Sequence, residues 1–186
     1  MGKVVVTEFV SLDGVMEDPA GVEGTGLGSW TSEVGWGDGG DKFKYDETFG
    51  SEALLLGRVT YDAFAESWPS RDGDFADRFN SMPKYVLSST LENPSWTNTT
   101  VLRSVDEVTT LKQELEGEIV VHGSAKLAQA LIEHELVDEI RLMVWPVLLG
   151  RGKRLFGEGG KKAFRLRDSK VVGDGVAILV FEQAGQ

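Results

Sequence analysis

The 186-residue sequence contains no cysteine. That excludes a disulfide framework, a thiol nucleophile and a thiolate metal site, and it makes a reducing cytoplasm the natural setting. Histidine is nearly as scarce. His122 and His134 are the only two, and they lack the i, i+4 spacing of a helical zinc pair, so no metal site is expected. No apolar run approaches the roughly 20 residues that a membrane span requires. The N-terminal stretch MGKVVVTEFVSLDG has neither the apolar core nor the small-residue cleavage site of a secretory signal. Cations are in the minority, with 19 Lys and Arg against 30 Asp and Glu and a formal net charge of −11. Nucleic acid and anionic lipid need a basic face, so neither is an expected partner, and any phosphate ligand has to be gripped locally.

What is present is a chain with 41% apolar residues, long enough for one domain, taken as residues 1–186. KVVVTEFV (3–10) reads as a central strand. Residues 18–40 are rich in glycine and read as a long loop, and Asp41 to Phe49 as a short helix with Phe43, Tyr45 and Phe49 along it. A strand at 53–56 leads to a helix from Thr60 to Ser67, halted by Pro69. A second helix covers Phe75, Phe79 and Met82 and ends at Pro83, and KYVLSST is a short strand with a polar exit. After a brief strand at Val101 and Leu102, Ser104 and Glu107 form a capping box for VDEVTTLKQEL. EIVVHGSAKLAQALIEHEL repeats the strand, glycine, helix formula. LVDEIRLMVWPVLLG reads as a long strand containing a proline, and AFRLRDSKVV and GVAILVFEQ as a hairpin around Gly173 to Gly175. Strands alternating with helices imply an α/β fold, a three-layer α/β/α sandwich whose mostly parallel sheet carries an antiparallel C-terminal hairpin.

The strand exits carry the candidate chemistry, because ligands of open α/β sheets bind at the carboxyl ends of strands, where helix N-termini present free N–H groups. In LLLGRVTYDAF (54–64), Gly57 lets a phosphate approach, Arg58 supplies a permanent cation and Thr60 a hydroxyl; the plainer reading is a tight turn with an exposed arginine. LSST places Ser88, Ser89 and Thr90 at another strand end, and VVHGSAKLAQAL places Gly123, Ser124 and Ala125 at a third. Three small, polar turns suit a ligand with several phosphates and riboses. GTGLGSW (24–30) mimics a dinucleotide fingerprint, but no strand precedes it.

These segments resemble the dihydrofolate reductase superfamily: LLLGRVTYDAF its Gly-Arg-x-Thr turn, KYVLSST its following strand, HGSAKLAQALI its later glycine-rich turn. SLDG (11–14) and LVDEIRLMVWPVLLGRGKRLF (136–156) are most similar to the reductase domain of the bifunctional riboflavin-biosynthesis deaminase/reductase and its stand-alone relatives. The resemblance covers nearly the whole chain and implies NADPH. It assigns Arg58, Thr60, Ser88 and Ser89, in turns shared with Gly57 and Thr90, to the phosphates of the adenosine half, including the 2′-phosphate. It assigns Gly123, Ser124, Ala125 and Lys126 to the pyrophosphate. His122 departs from the pattern, standing where related reductases often carry a glycine. The zinc signature of the riboflavin deaminase is absent, so a shared pathway role would cover only the reduction.

Hydride transfer is the cofactor's chemistry, and the protein supplies alignment and a protonatable group. Asp13 and Asp41 are the candidate catalytic acids. Asp13 is equally an Asp-Gly turn residue; Asp41 precedes LLLGR by the interval of the pterin-contacting acid in dihydrofolate reductases, but two other acids lie nearby. In GRGKR (150–154) the cations read as a solvated loop or as phosphate contacts, with Gly150 and Gly152 near the cofactor. Trp30, Trp36, Trp68 and Trp145 are either stacking surfaces for a heterocycle or core residues. The expectation is an NADPH-dependent reductase of a small pterin-like or ribosylamino-pyrimidine-like heterocycle; the alternative is an NADP(H)-binding protein of the same fold without efficient reduction. A hydrolase is disfavoured, since no nucleophile elbow appears. IRLMVWPVLLG and the closing hairpin either belong to the core or offer a homodimer surface.

Overall fold

The computed structural model describes residues 1–184. β1 (Lys3–Ser11) is a β-branched run with apolar residues buried on both faces, which places it inside the sheet. It is joined by β2 (Ser51–Gly57), β3 (Lys84–Leu87), β4 (Thr99–Leu102), β5 (Glu118–His122) and β6 (Glu139–Trp145), all parallel. β7 (Phe164–Val172) and β8 (Val176–Gln183) form the antiparallel closing hairpin, and the order across the sheet is β4-β3-β2-β5-β1-β6-β8-β7. The carboxyl ends of six strands therefore lie along one edge.

Five helices cover the faces: α1 (Gly37–Gly50), α2 (Arg58–Ser67), α3 (Asp74–Ser81), α4 (Asp106–Glu114) and α5 (Ala125–Glu133). Val4, Val6 and Val10 of β1 pack with Val108 and Leu111 of α4 and with Leu127, Ala128 and Leu131 of α5. Leu54 and Leu56 of β2 face the other way, onto Tyr61 of α2 and Phe79 of α3. Fully buried Lys84 ties β3 down by donating to the carbonyls of Asn80, Met82 and Thr97 (2.7–3.1 Å), with the Trp96 ring 4.5 Å from its ammonium.

Several boundaries differ from the sequence expectation. The glycine-rich segment contains a 3-10 turn at Trp30–Ser32, and α1 starts at Gly37 rather than Asp41 because Gly40 packs directly under Trp36. α2 starts at Arg58, two residues earlier than expected, as β2 feeds the helix without a loop. Met82 lies just beyond α3 but stays buried. Only half of the capping box forms: Glu107 Oε1 accepts from the Ser104 amide at 2.9 Å, while the Ser104 hydroxyl leaves the helix uncapped. β6 stops at Trp145, before Pro146. Its IRLMVW run is interior between β1 and β8, so that segment is core rather than an interface.

Candidate functional site

Two of the three polar turns are interlocked. The Gly57 amide donates to Ser124 Oγ at 2.8 Å, and that hydroxyl donates to Thr60 Oγ1 at 2.9 Å. A Cβ on Gly57 would lie 3.1 Å from Ser124 Oγ, and Gly57 has extended backbone, so this glycine makes room for the neighbouring turn. The approach expected of a phosphate at Gly57 is thus taken by Ser124. Gly123 and Ser124 both adopt left-handed backbone (φ 59° and 61°), which lifts the chain out of β5 and aims α5 at the edge. A Cβ on Gly123 would sit 2.9 Å from Thr60 Cγ2 and Oγ1. With the Ser124 hydroxyl committed sideways, no side chain caps α5, and none caps α2. First-turn amides at Ala125 and Lys126, and at Arg58, are the donors that a helix start leaves open to an anion.

The third turn adjoins the first. Arg58 Nη1 donates to Thr90 Oγ1 at 3.4 Å, and its Nε pairs with Asp62 at 2.8 Å. Ser88 is nearly buried, and its hydroxyl accepts from the amides of Thr90 and Leu91, which shapes the turn; Ser89 and Thr90 are exposed. Arg103, which the sequence reading did not single out, donates to the Ser88 carbonyl at 2.9 Å. Two guanidiniums therefore flank one turn in a protein of net charge −11. A strand-end arginine fifteen residues from a polar turn carries no local signal; β3–β4 pairing brings it there.

Along the same edge, on the α1 face, a cavity of about 350 Å³ is lined by Phe9, Thr31, Ser32, Gly35, Trp36 and Trp145. Phe9 meets Trp36 and Trp145 edge-on, at centroid distances of 5.3 and 5.0 Å. Trp145 donates to the Thr31 and Val34 carbonyls, so its indole is an anchored wall, and Trp30, buried edge-on against it outside the lining, donates to the Glu17 carbonyl. Trp68 packs instead on Phe79 and Arg71, in the α2–α3 cluster. No titratable side chain is among those lining residues.

Neither expected acid enters the cavity wall. Asp13 clasps two loops: its carboxylate accepts from Ser11 Oγ (2.6 Å) and from the Leu149 and Gly150 amides (3.2 and 2.8 Å). These donors, Ser11 first, hold its pKa down at about 2, which suits an anchor and not a proton donor. Asp41 is exposed on α1, whose buried side is Gly40, Lys44, Glu47 and Thr48. Gly150 serves the Asp13 clasp. Gly152, at φ 113°, packs where a Cβ would strike Val15 Cγ1 at 2.7 Å. The GRGKR cations are absorbed locally: Arg151 donates to the Gly26 carbonyl, Lys153 pairs with Glu17, and Arg154 donates to the Asp13 carbonyl.

Beneath the cavity lies a charged layer that was not legible in the sequence. His122, Thr7 and Arg141 form one rung across β5, β1 and β6. From α1, Lys44 donates to Thr7 Oγ1 (3.0 Å) and pairs with Glu47; Arg141 pairs with Glu118 and Glu139 at 2.6 Å and with Glu47 at 3.4 Å. Burial opposes the charge on Glu47, but the cations Lys44 and Arg141 outweigh it and keep its carboxyl below the usual range. His122 is neutral: burial, reinforced by Lys44, pushes its pKa down to about 3, and Nε2 has no partner among the described residues. On the opposite face Glu8 accepts from the Gly123 amide at 3.1 Å through Oε2, while its buried Oε1 has no partner there. Burial raises its pKa well above the carboxylate range.

The residues fit a phosphorylated dinucleotide: uncapped α2 and α5 starts, a Gly123 cradle that a Cβ would fill, and paired arginines beyond them. The family described as RibD C-terminal domain matches residues 2–179. Two Bacillus subtilis (strain 168) proteins, both called uncharacterized, are similar: YyaP at 28% identity over 72% of this chain and 75% of its own, and YwjB at 27% over 95% of each. Among solved structures, one named as a riboflavin biosynthesis protein of Shewanella sp. PV-4 superposes with TM-score 0.77 at 23% identity, covering 98% of this chain and 99% of its own. Dihydrofolate reductase of Enterococcus faecalis, complexed with NADP(H) and RAB-propyl, superposes with TM-score 0.62 at 18%, covering 99% and 98%. The fold is that of dihydrofolate reductase. No helix among the described residues is long and apolar enough to cross a membrane.

Proposed function

Since the chain belongs to the RibD C-terminal domain family, we propose that it is an NADPH-dependent reductase acting in the cytoplasm on a small heterocycle, pterin-like or ribosylamino-pyrimidine-like. The observation that carries this reading is the interlock of Gly57, Thr60 and Ser124, which holds two uncapped helix starts side by side. Bound NADPH would supply the hydride. Gly123, Ser124, Ala125 and Lys126 would hold its pyrophosphate through α5 amides. Arg58, Thr90 and Arg103 would hold the 2′-phosphate, with exposed Ser89 beside them. Phe9, Trp36 and Trp145 would orient the flat substrate and exclude water from one face of it, which is where alignment lowers the barrier. With no acid among the lining residues, a proton accompanying the hydride would have to reach the substrate from solvent.

That same absence favours a second reading, an NADP(H)-binding protein without efficient reductase activity. For self-association we propose a homodimer through β7, one of the two edge strands, most of whose side chains are exposed; sedimentation of the dilute protein tests it, and a monomer refutes it.

Parallel titrations with NADPH and NADH test the cofactor assignment. Arg58→Ala and Arg103→Ala are each expected to weaken NADPH about tenfold or more, the worth of one charge-assisted contact, and to leave NADH unchanged. Equal binding of both cofactors by the unaltered protein would refute it. Steady-state oxidation of NADPH with a panel of pterins and pyrimidines separates the two readings.

A further inference from the structure

Among the described residues Glu8 is the one carboxyl bonded directly to the glycine turn that begins α5, and the reading above gives it no task. It shares its face of β1 with Val4, Val6 and Val10, against α5, and is only 6% exposed. Burying an acid there is costly unless its charge is neutralised or removed. Two charged groups act on it, both from α1: Lys44 favours its ionised form and Glu47 opposes it, while His122 on β5 is neutral and Lys126 on α5 is exposed. Lys44 is already paired with Glu47, and Arg141 with Glu118 and Glu139, so no free cation is left for Glu8. Its one hydrogen bond among the described residues is from the Gly123 amide at 3.1 Å, and the other carboxyl oxygen is buried without a partner among them. Gly123 and Ser124 need left-handed backbone, and that hydrogen bond from β1 is what pins the first of them.

We propose, resting on the cofactor reading above, that Glu8 is a positioning residue for the bridging phosphates: uncharged, it fixes the Gly123 turn by accepting its amide; ionised, it repels the anion seated on the α5 start. Desolvation supports the uncharged form over a range in which an ordinary glutamate is ionised. Cofactor affinity then falls as pH rises through the titration of this one group, and the fall is confined to the pyrophosphate end. The 2′-phosphate corner centres on Thr90 and Arg103, beyond the ends of β3 and β4, two and three strands from β5; Arg58 reaches it from the α2 start, and the corner is coupled to Glu8 much less.

The test uses the full chain and two probes, NADPH and 2′,5′-ADP, titrated from about pH 5 to about pH 9. The unaltered protein is expected to lose roughly tenfold or more in NADPH affinity across that range, the equivalent of about one unit of pKa coupling, and to lose much less for 2′,5′-ADP. Glu8→Gln keeps an acceptor for the Gly123 amide and cannot ionise, so its NADPH profile is expected to lack that fall. Independently of any ligand, the amide proton shift of Gly123 is expected to titrate in the unaltered protein and stay flat in Glu8→Gln, whose circular dichroism reports folding. NADPH binding with parallel pH profiles in the two proteins overturns the role of Glu8 alone. Failure of both probes to bind overturns the cofactor reading and the proposal with it, whereas a Gly123 amide that does not titrate overturns the hydrogen-bond geometry itself.

Discussion

Gly123→Ala puts a methyl group where the structure has no space and asks alanine to hold a backbone it avoids. Left-handed geometry at φ 59° costs a non-glycine residue about 1–2 kcal/mol. The added Cβ lies 2.9 Å from Thr60 Cγ2 and Oγ1, and Thr60 cannot swing away freely because it is β-branched and accepts from Ser124 Oγ. Overpacking of this kind costs about 1–3 kcal/mol. The sum is about 2–5 kcal/mol, which for a chain of this length lowers the melting temperature by roughly 4–20 °C. Thr60→Ala removes the obstructing atoms and leaves the backbone penalty, so the double variant separates the two contributions. Urea denaturation of both single variants and the double should show a favourable coupling of about 1–3 kcal/mol between the sites. A Gly123→Ala protein as stable as the original, or a coupling near zero, would refute the claim that the two turns are locked in contact.

Three further outcomes follow from named contacts. His122 has a folded pKa of about 3 against 6.5 when unfolded, so its contribution is present above the unfolded value and is lost as pH falls below it, at up to about 1.4 kcal/mol per pH unit. His122→Asn should flatten the acid limb of stability measured by urea denaturation, and an unchanged limb would contradict a buried, neutral imidazole. Asp13→Asn weakens the clasp on Leu149 and Gly150, so faster hydrogen exchange of those two amides is expected, and unchanged protection would show that other contacts hold the loop. Lys84→Met strands three carbonyls and should destabilise by about 2–4 kcal/mol; a loss under about 1 kcal/mol would mean that those carbonyls find water.

The site was partly readable before the fold was seen. Gly57-Arg58-x-Thr60, Ser88-Ser89-Thr90 and Gly123-Ser124-Ala125 stand out because small and polar residues interrupt apolar strands, and the fold brings these turns to one edge. Their individual tasks were not readable. Gly57 is small for the sake of Ser124, Ser88 shapes its own turn, and Arg103 reaches the site only through the β3–β4 pairing. Asp13 read equally as a candidate acid and as a turn residue, and its clasp role was not readable because two of its three donors lie on a loop about 136 residues further along.

Composition and pattern by themselves determined the alternation of apolar strands with helices, the closing hairpin, the kind of residue at each strand exit and the absence of any thiol. Each of these depends on neighbours within a few residues, so a linear reading captures it. Only the tertiary structure decided that Lys44, Glu47, Arg141 and His122 are buried together under α1, that Glu8 faces α5 without a cation, and that two tryptophans are walls while a third is core of another cluster. The physical reason is register: a charge is tolerable inside a protein only beside its partner, and partners on β5, β1, β6 and α1 meet through pairings separated by up to about a hundred residues, which no local pattern encodes.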